Sequence, residues 1–210
     1  MTPDSLQALE RLRDPSMLQW YVVPLLVLVI YIFVTEMHNK NWSAVYLGLA
    51  FWGGEFIWEM FNAAILHFSG FAPLWATPGG GSAFIIYAGL NIEIALFFSI
   101  AAIIIIKSLP QDRNLKIAGI SNRIVIPIAW GLFCVFVEVL LNQAGLLTWN
   151  WAFWKWPHIW LIVVAYCTPW LVVAWCHDNL SMETKKKAAI LLPAAAIVCH
   201  IVFAVILKWV

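Results

Sequence analysis

Charge is what this sequence has least of. Asp, Glu, Lys and Arg make up 11% of 210 residues, and the formal net charge is +1. That balance offers no basic surface, so no nucleic-acid partner is expected. The four cysteines, Cys134, Cys167, Cys176 and Cys199, show no ligand spacing. They read as small apolar fillers rather than a disulfide framework or a zinc site. Residues 1–17 lack a basic segment followed by an apolar core, so no secretory signal is expected. There is no HExxH, P-loop or GxSxG, and the Gly79-Gly80-Gly81 run leads into Ser82 where a phosphate cradle needs Lys. No ExxH spacing links Glu59, Glu93, Glu138 and His200 into a carboxylate metal site. Neither a metal nor a cofactor is expected.

What is abundant is apolar length. Hydrophobic residues reach 63% and the mean hydropathy is +0.86, values that belong to an integral membrane protein. Six stretches are long enough to cross a bilayer: Leu18 to Thr35, Ser43 to His67, Phe84 to Ile106, Ile124 to Leu147, Ile159 to Trp175 and Ala188 to Trp209. None alternates with period two throughout, so the expected fold is an all-α polytopic bundle of six transmembrane helices, not a barrel.

A polar connection, residues 107–122, separates a first three-helix half (18–106) from a second (123–210). Three being odd, equivalent helices would run in opposite directions. Glu59 precedes Trp75, and Glu138 precedes Trp154, by the same interval, which makes the halves candidates for an inverted repeat. Segment 1–17 reads as amphipathic, with Leu6, Leu9 and Leu12 on the side expected to rest on headgroups. Lys40, Lys107, Arg113, Lys116, Arg123, Lys185, Lys186 and Lys187 fall in or beside one set of loops; Arg11, Arg13, Lys155 and Lys208 fall on the other side. The positive-inside rule then places both termini outside the cytoplasm, in a cell inner membrane. On the outer side, the run Pro78 to Ser82 and the tryptophan-rich segment Thr148 to His158 read either as an interfacial belt or as a lid over a cavity.

Three acids sit deep inside apolar segments, and an ionisable group in hydrocarbon costs roughly 2.5 to 3.5 kcal/mol for Asp on insertion scales. At 1.5 Å per residue, Glu59, Glu93 and Glu138 come out about 12 to 14 Å from the outer ends of their spans, and Tyr166 and His200 about 10 to 14 Å. Glu55, Glu59 and Asn62 share a helix face, as do Glu138 and Asn142. Asn91 and Glu93 point apart, and Glu93 is assigned to the centre. Asn62, Asn142, Gln143 and His200 also suit interhelical hydrogen bonding. No Lys or Arg lies at the depth of the acids, so some are expected to be protonated, and a neutral acid beside an ionised one suits general acid–base work.

An aromatic, water-poor cavity suits an apolar, lipid-like ligand entering from the bilayer, such as an isoprenoid. Glu59 is the expected acid, with Glu138 and Glu93 the further catalytic candidates and Glu138 the base or counter-charge. Trp58, Trp130 and Trp160 are candidates to face developing positive charge. Glu55, Asn62, Asn91, Asn142, Tyr166 and His200 complete the candidate binding set. Segment Trp58-Glu59, followed by Gly89-Leu90-Asn91-Ile92-Glu93-Ile94, resembles the small integral membrane terpene cyclases of meroterpenoid and indole-diterpene pathways. The resemblance covers under a third of the chain and implies that Glu59 protonates an epoxide or alkene. The family's second acid is expected in the sixth helix, where this sequence has none. A small proton- or ion-coupled carrier and a non-enzymatic membrane subunit remain alternatives, and the oligomeric state is left open.

Overall fold

A computed structural model describes residues 1–79 and 84–210. The described chain is mostly helical: α1 (Pro3–Glu10), α2 (Val22–His38), α3 (Trp42–Ser69), α4 (Ile92–Ser108), α5 (Asn122–Gln143), α6 (Trp160–Asn179) and α7 (Met182–His200). The last continues into a wider-pitched turn, Ile201–Ile206. Two small antiparallel hairpins interrupt the all-α expectation, β1 (Ile85–Tyr87) with β2 (Leu90–Asn91) and β3 (Lys116–Ile117) with β4 (Ile120–Ser121).

The six expected spans correspond to α2 through α7. Three helices, α5, α6 and α7 extended to Ile206, are long and apolar enough to cross a membrane. Helices α2 and α4 have 17 residues each, and the 28-residue α3 carries Glu55 and Glu59. Asn41 caps α3 by accepting from the Ala44 amide, and Gly70 ends it in the left-handed region at φ +61°.

The expected third span starts too early. Residues 85–91 form the first hairpin instead of helix, because Asn91 accepts from the Ile94 amide at 2.9 Å and so sets the helix start at Ile92. The hairpin's buried backbone finds partners in the N-terminal segment: Arg13 N–H donates to Ile85 O at 2.8 Å. The sixth helix, conversely, starts earlier than expected. Ser181 caps it at the Thr184 amide, so Lys185, Lys186 and Lys187 lie on α7 and not in a loop.

Glycines set the closest helix approaches. A Cβ on Gly53 of α3 would stand 2.4 Å from the Pro193 nitrogen of α7, and one on Gly131 of α5 would stand 2.9 Å from Cys167 Cα of α6. Packing does not repeat between the halves: α3 lies closely along α4, whereas their counterparts α6 and α7 pack on α5 and α3 and scarcely on each other. Helix α1 buries Ser5 and Ala8, the latter against Leu66 and Ala88, while Leu6 and Leu9 stay exposed.

The two ends of the bundle differ. At one, the loops form a cap: Ala76 and Thr148 exchange backbone hydrogen bonds of 3.0 and 2.8 Å, and the Trp151 indole donates to Ala72 O at 2.9 Å. Both termini belong to this end, with Thr2 N–H on Phe71 O and the Arg13 guanidinium on Val210 O. The other end is basic and ion-paired, through Lys107 with buried Glu36 and Arg113 and Arg123 with Asp178.

Candidate functional site

Glu55 and Glu59 stand one turn apart on α3, and Glu59 is 2% exposed. The Trp75 indole donates to both Glu59 oxygens, at 3.1 and 3.2 Å. Asn62, one turn further along, fixes Trp75 by its backbone: its Oδ1 accepts from Leu74 N–H at 2.7 Å and its amide donates to Trp75 O at 2.9 Å. The tip of the first hairpin closes on this cluster. A Cβ on Gly89 would stand 2.2 Å from Asn62 Nδ2, 2.8 Å from Trp75 Nε1 and 2.9 Å from Glu59 Oε2, so glycine alone fits.

The third acid comes from α5, which does not pack along α3. Glu138 is buried, bordered by Trp149 and Tyr166, and its Oε2 has no hydrogen-bond partner among the described residues. A buried carboxylate oxygen ordinarily has one. Between the two helices lies a cavity of about 670 Å³ that takes in Glu55, Glu59 and Glu138 together with Tyr166, Trp58, Trp75, Trp154 and Trp170. The rest of its wall is apolar apart from Thr168, with Phe51 and Phe98 among aliphatic side chains, and no Lys, Arg or His lines it among the described residues. Trp75 links Trp58 to Trp154 through ring centroids 6.2 and 5.8 Å apart.

The cavity opens sideways. Val164, Thr168 and Val172 on α6, Leu192 on α7 and Trp58 on α3 all line it, yet all are exposed on the outside of the bundle. The opening therefore runs between α6 and α7, where the helices leave each other uncovered. At the capped end, the loop pairing described above and Trp154 lie over the acids.

Several expected site residues lie elsewhere. Glu93, assigned to the centre by depth, is in the first turn of α4 and accepts a hydrogen bond from the Tyr21 hydroxyl, because the hairpin takes up the residues that would have carried it inward. Asn91 caps α4. Asn142 donates to Leu147 O at 3.0 Å, a turn-closing role. His200 Nδ1 is 2.7 Å from the Tyr87 hydroxyl. The Trp130 indole donates to Ser108 Oγ at 3.1 Å, and Trp160 is exposed at the start of α6. None of these six lines the cavity. Of the flexible Pro78 to Ser82 run, Gly80, Gly81 and Ser82 fall outside the described residues.

Sequence reasoning did not place Trp75, Trp154 or Trp170 in the site. The equal Glu59-to-Trp75 and Glu138-to-Trp154 intervals carried a signal for two of them. A protein of Archaeoglobus fulgidus described as uncharacterized is 41% identical over 206 residues, covering 97% of each chain. No solved structure matches. A family model described as an uncharacterized membrane protein family matches residues 2–205, and this apolar helical chain belongs to that membrane protein family.

Proposed function

We propose that the protein is a membrane-embedded acid–base catalyst that cyclises or isomerises an isoprenoid-like apolar substrate taken from the bilayer. The observation that carries this reading is the convergence of Glu55, Glu59 and Glu138 on one aliphatic and aromatic cavity with no cation in its wall among the described residues. Carboxyl groups placed so in an apolar hollow act on a ligand more readily than they hold helices together.

Hydrogen bonding favours the reverse of the roles expected from sequence, in which Glu59 is the acid and Glu138 the base or counter-charge. The one Trp75 indole N–H is shared between both Glu59 oxygens, which suits a carboxylate, whereas Glu138 Oε2 has no hydrogen-bond partner among the described residues. Protonated, Glu138 presents its hydroxyl to the cavity. In the proposed reaction the Glu138 O–H transfers its proton to one alkene carbon. The π pair becomes the new C–H bond, and a cation is left on the adjacent carbon. A second alkene of the same molecule supplies a pair to form a C–C bond, and Glu59 then removes a proton so that an alkene reforms. The product is an isomer of the substrate, with no oxidant or co-reactant. Glu55, one turn from Glu59 and in the wall of the same cavity as Glu138, returns the proton from Glu59 to Glu138. The faces of Trp58, Trp75 and Trp154 stabilise the intermediate cation.

A coupled carrier is less well supported, because alternating access by inverted halves calls for packing that repeats, and α6 with α7 does not mirror α3 with α4. The reading is tested by expressing wild type, Glu59→Gln and Glu138→Gln and comparing membrane lipid extracts by mass spectrometry. Each variant is expected to lose turnover by about 10²- to 10⁴-fold, the usual contribution of a positioned acid or base. Identical lipid profiles from three folded proteins would overturn it.

A further inference from the structure

At the basic end of the bundle a buried ammonium makes no direct ion pair among the described residues, although Asp178 acts on it at longer range. Lys185 of α7 is 4% exposed. Its Nζ donates to Ser43 Oγ at 3.0 Å and to His177 O at 2.6 Å, and Ser43 Oγ lies 2.9 Å from His177 Nδ1. Both acceptors are neutral, and an ammonium has three donors, so one remains. Among the described residues Lys185 makes no ion pair: Asp178 is held by Arg123 at 2.7 Å and Arg113 at 3.3 Å, and Glu183 by Lys187 at 2.8 Å. Buried charges are ordinarily paired, and leaving one without a partner is costly.

The cluster stands just beyond the far wall of the same cavity. Leu47 lies one turn beyond Ser43, Cys176 and Leu180 flank His177, and Ala188 lies one turn beyond Lys185; all four line the hollow. Ser43 also belongs to the first turn of α3, where the helix dipole favours an anion. From Ser43 to Glu59 the helix rises about 24 Å. The cavity thus has carboxyl groups at its capped end, and one turn beyond its basic end, outside its lining, stands a cation that makes no ion pair among the described residues.

We infer that Lys185 and Ser43 bind the phosphate or diphosphate head of an isoprenoid lipid whose tail fills the cavity and whose far terminus reaches the acids. This rests on the cavity being an isoprenoid site, and it adds the substrate's polar end. The head takes the third Lys185 donor and the Ser43 hydroxyl, and proton transfer occurs at the end of the chain remote from it.

The test is ligand binding to the full chain in phosphatidylcholine nanodiscs, read by tryptophan fluorescence quenching. The probes are geranylgeranyl phosphate, geranylgeraniol, phosphatidic acid and inorganic phosphate. Geranylgeranyl phosphate is expected to bind at least tenfold more tightly than the alcohol or phosphatidic acid, with inorganic phosphate failing to compete. Lys185→Met should remove the tenfold preference over the alcohol, Lys185→Arg should keep most of it, and Lys186→Met, altering an exposed neighbour, should change nothing. Ser43→Ala, a smaller change expected to weaken phosphate binding several-fold, covers the case in which Lys185→Met does not fold.

Equal binding of the alcohol and the phosphate, or of phosphatidic acid and the isoprenoid phosphate, would overturn the inference. So would competition by inorganic phosphate alone, or an unchanged preference in both Ser43→Ala and Lys185→Met. The acids are read separately. Lys185-dependent binding without conversion in wild type refutes the proposed chemistry and leaves the headgroup site standing. Conversion of a neutral isoprenoid with no phosphate preference does the reverse.

Discussion

Among the described residues the narrowest constraint is at Gly89, where no side chain has room. Its hypothetical Cβ would collide with the amide of Asn62, the indole nitrogen of Trp75 and a Glu59 oxygen, all held by hydrogen bonds. Gly89→Ala is therefore expected to cost about 1–3 kcal/mol, the usual range for overpacking, and to lower the thermal midpoint in detergent along with any turnover. Gly54→Ala, by contrast, meets nothing within 4 Å on α3 and should stabilise by up to about 1 kcal/mol through helix propensity. Equal midpoints for the two variants would show that the hairpin does not close on the acid cluster. At this scale the sequence was informative where context was extreme: Glu59 and Glu138 stood out because apolar residues surround them on every side. Glu93 looked the same in one dimension. Its different fate comes from a hairpin whose strands, Ile-Ile-Tyr and Leu-Asn, are as apolar as the helix they precede.

Among the elements, the two hairpins share one device that the sequence does carry. Tyr87-Ala88-Gly89-Leu90-Asn91 and Ile117-Ala118-Gly119-Ile120-Ser121 both place an Ala-Gly turn two residues before an N-capping side chain, at the starts of α4 and α5. The second turn has positive φ at both central residues, 50° and 84°, the geometry that tight hairpins favour. At the first hairpin the surrounding hydropathy speaks for continuous helix and hides this signal, whereas the second falls in the polar connection 107–122. Helix pairing was legible only as single glycines in apolar runs, and which partner each meets depends on the tertiary fold. Gly53→Ala and Gly131→Ala drive a methyl into the backbone of α7 and α6. Gly48→Ala meets only the Ile103 and Phe33 side chains, which can move. The first two are expected to unfold at lower temperature than wild type by several degrees, and Gly48→Ala by less. A ranking with Gly48→Ala as the worst of the three would contradict these helix contacts.

For the whole molecule, bundle class and six apolar segments could be read from composition and length, while the cavity could not. Its walls come from five helices and three connections, and its mouth exists because α6 and α7 lean on other partners. That mouth is open to a direct test. Thr168 is exposed at its rim, so Thr168→Trp should leave thermal stability near wild type while reducing uptake of an isoprenoid delivered in nanodiscs by tenfold or more. Undiminished uptake would move the entrance elsewhere.

The seam between Ala76 and Thr148, sealed by Trp151 on Ala72, has a further consequence for kinetics. With that roof in place, ligand exchange happens within the plane of the leaflet, so the protein meets its substrate in two dimensions. Turnover should then follow the mole fraction of substrate among lipids, falling when inert phospholipid is added at fixed total amounts and staying constant when only buffer is added.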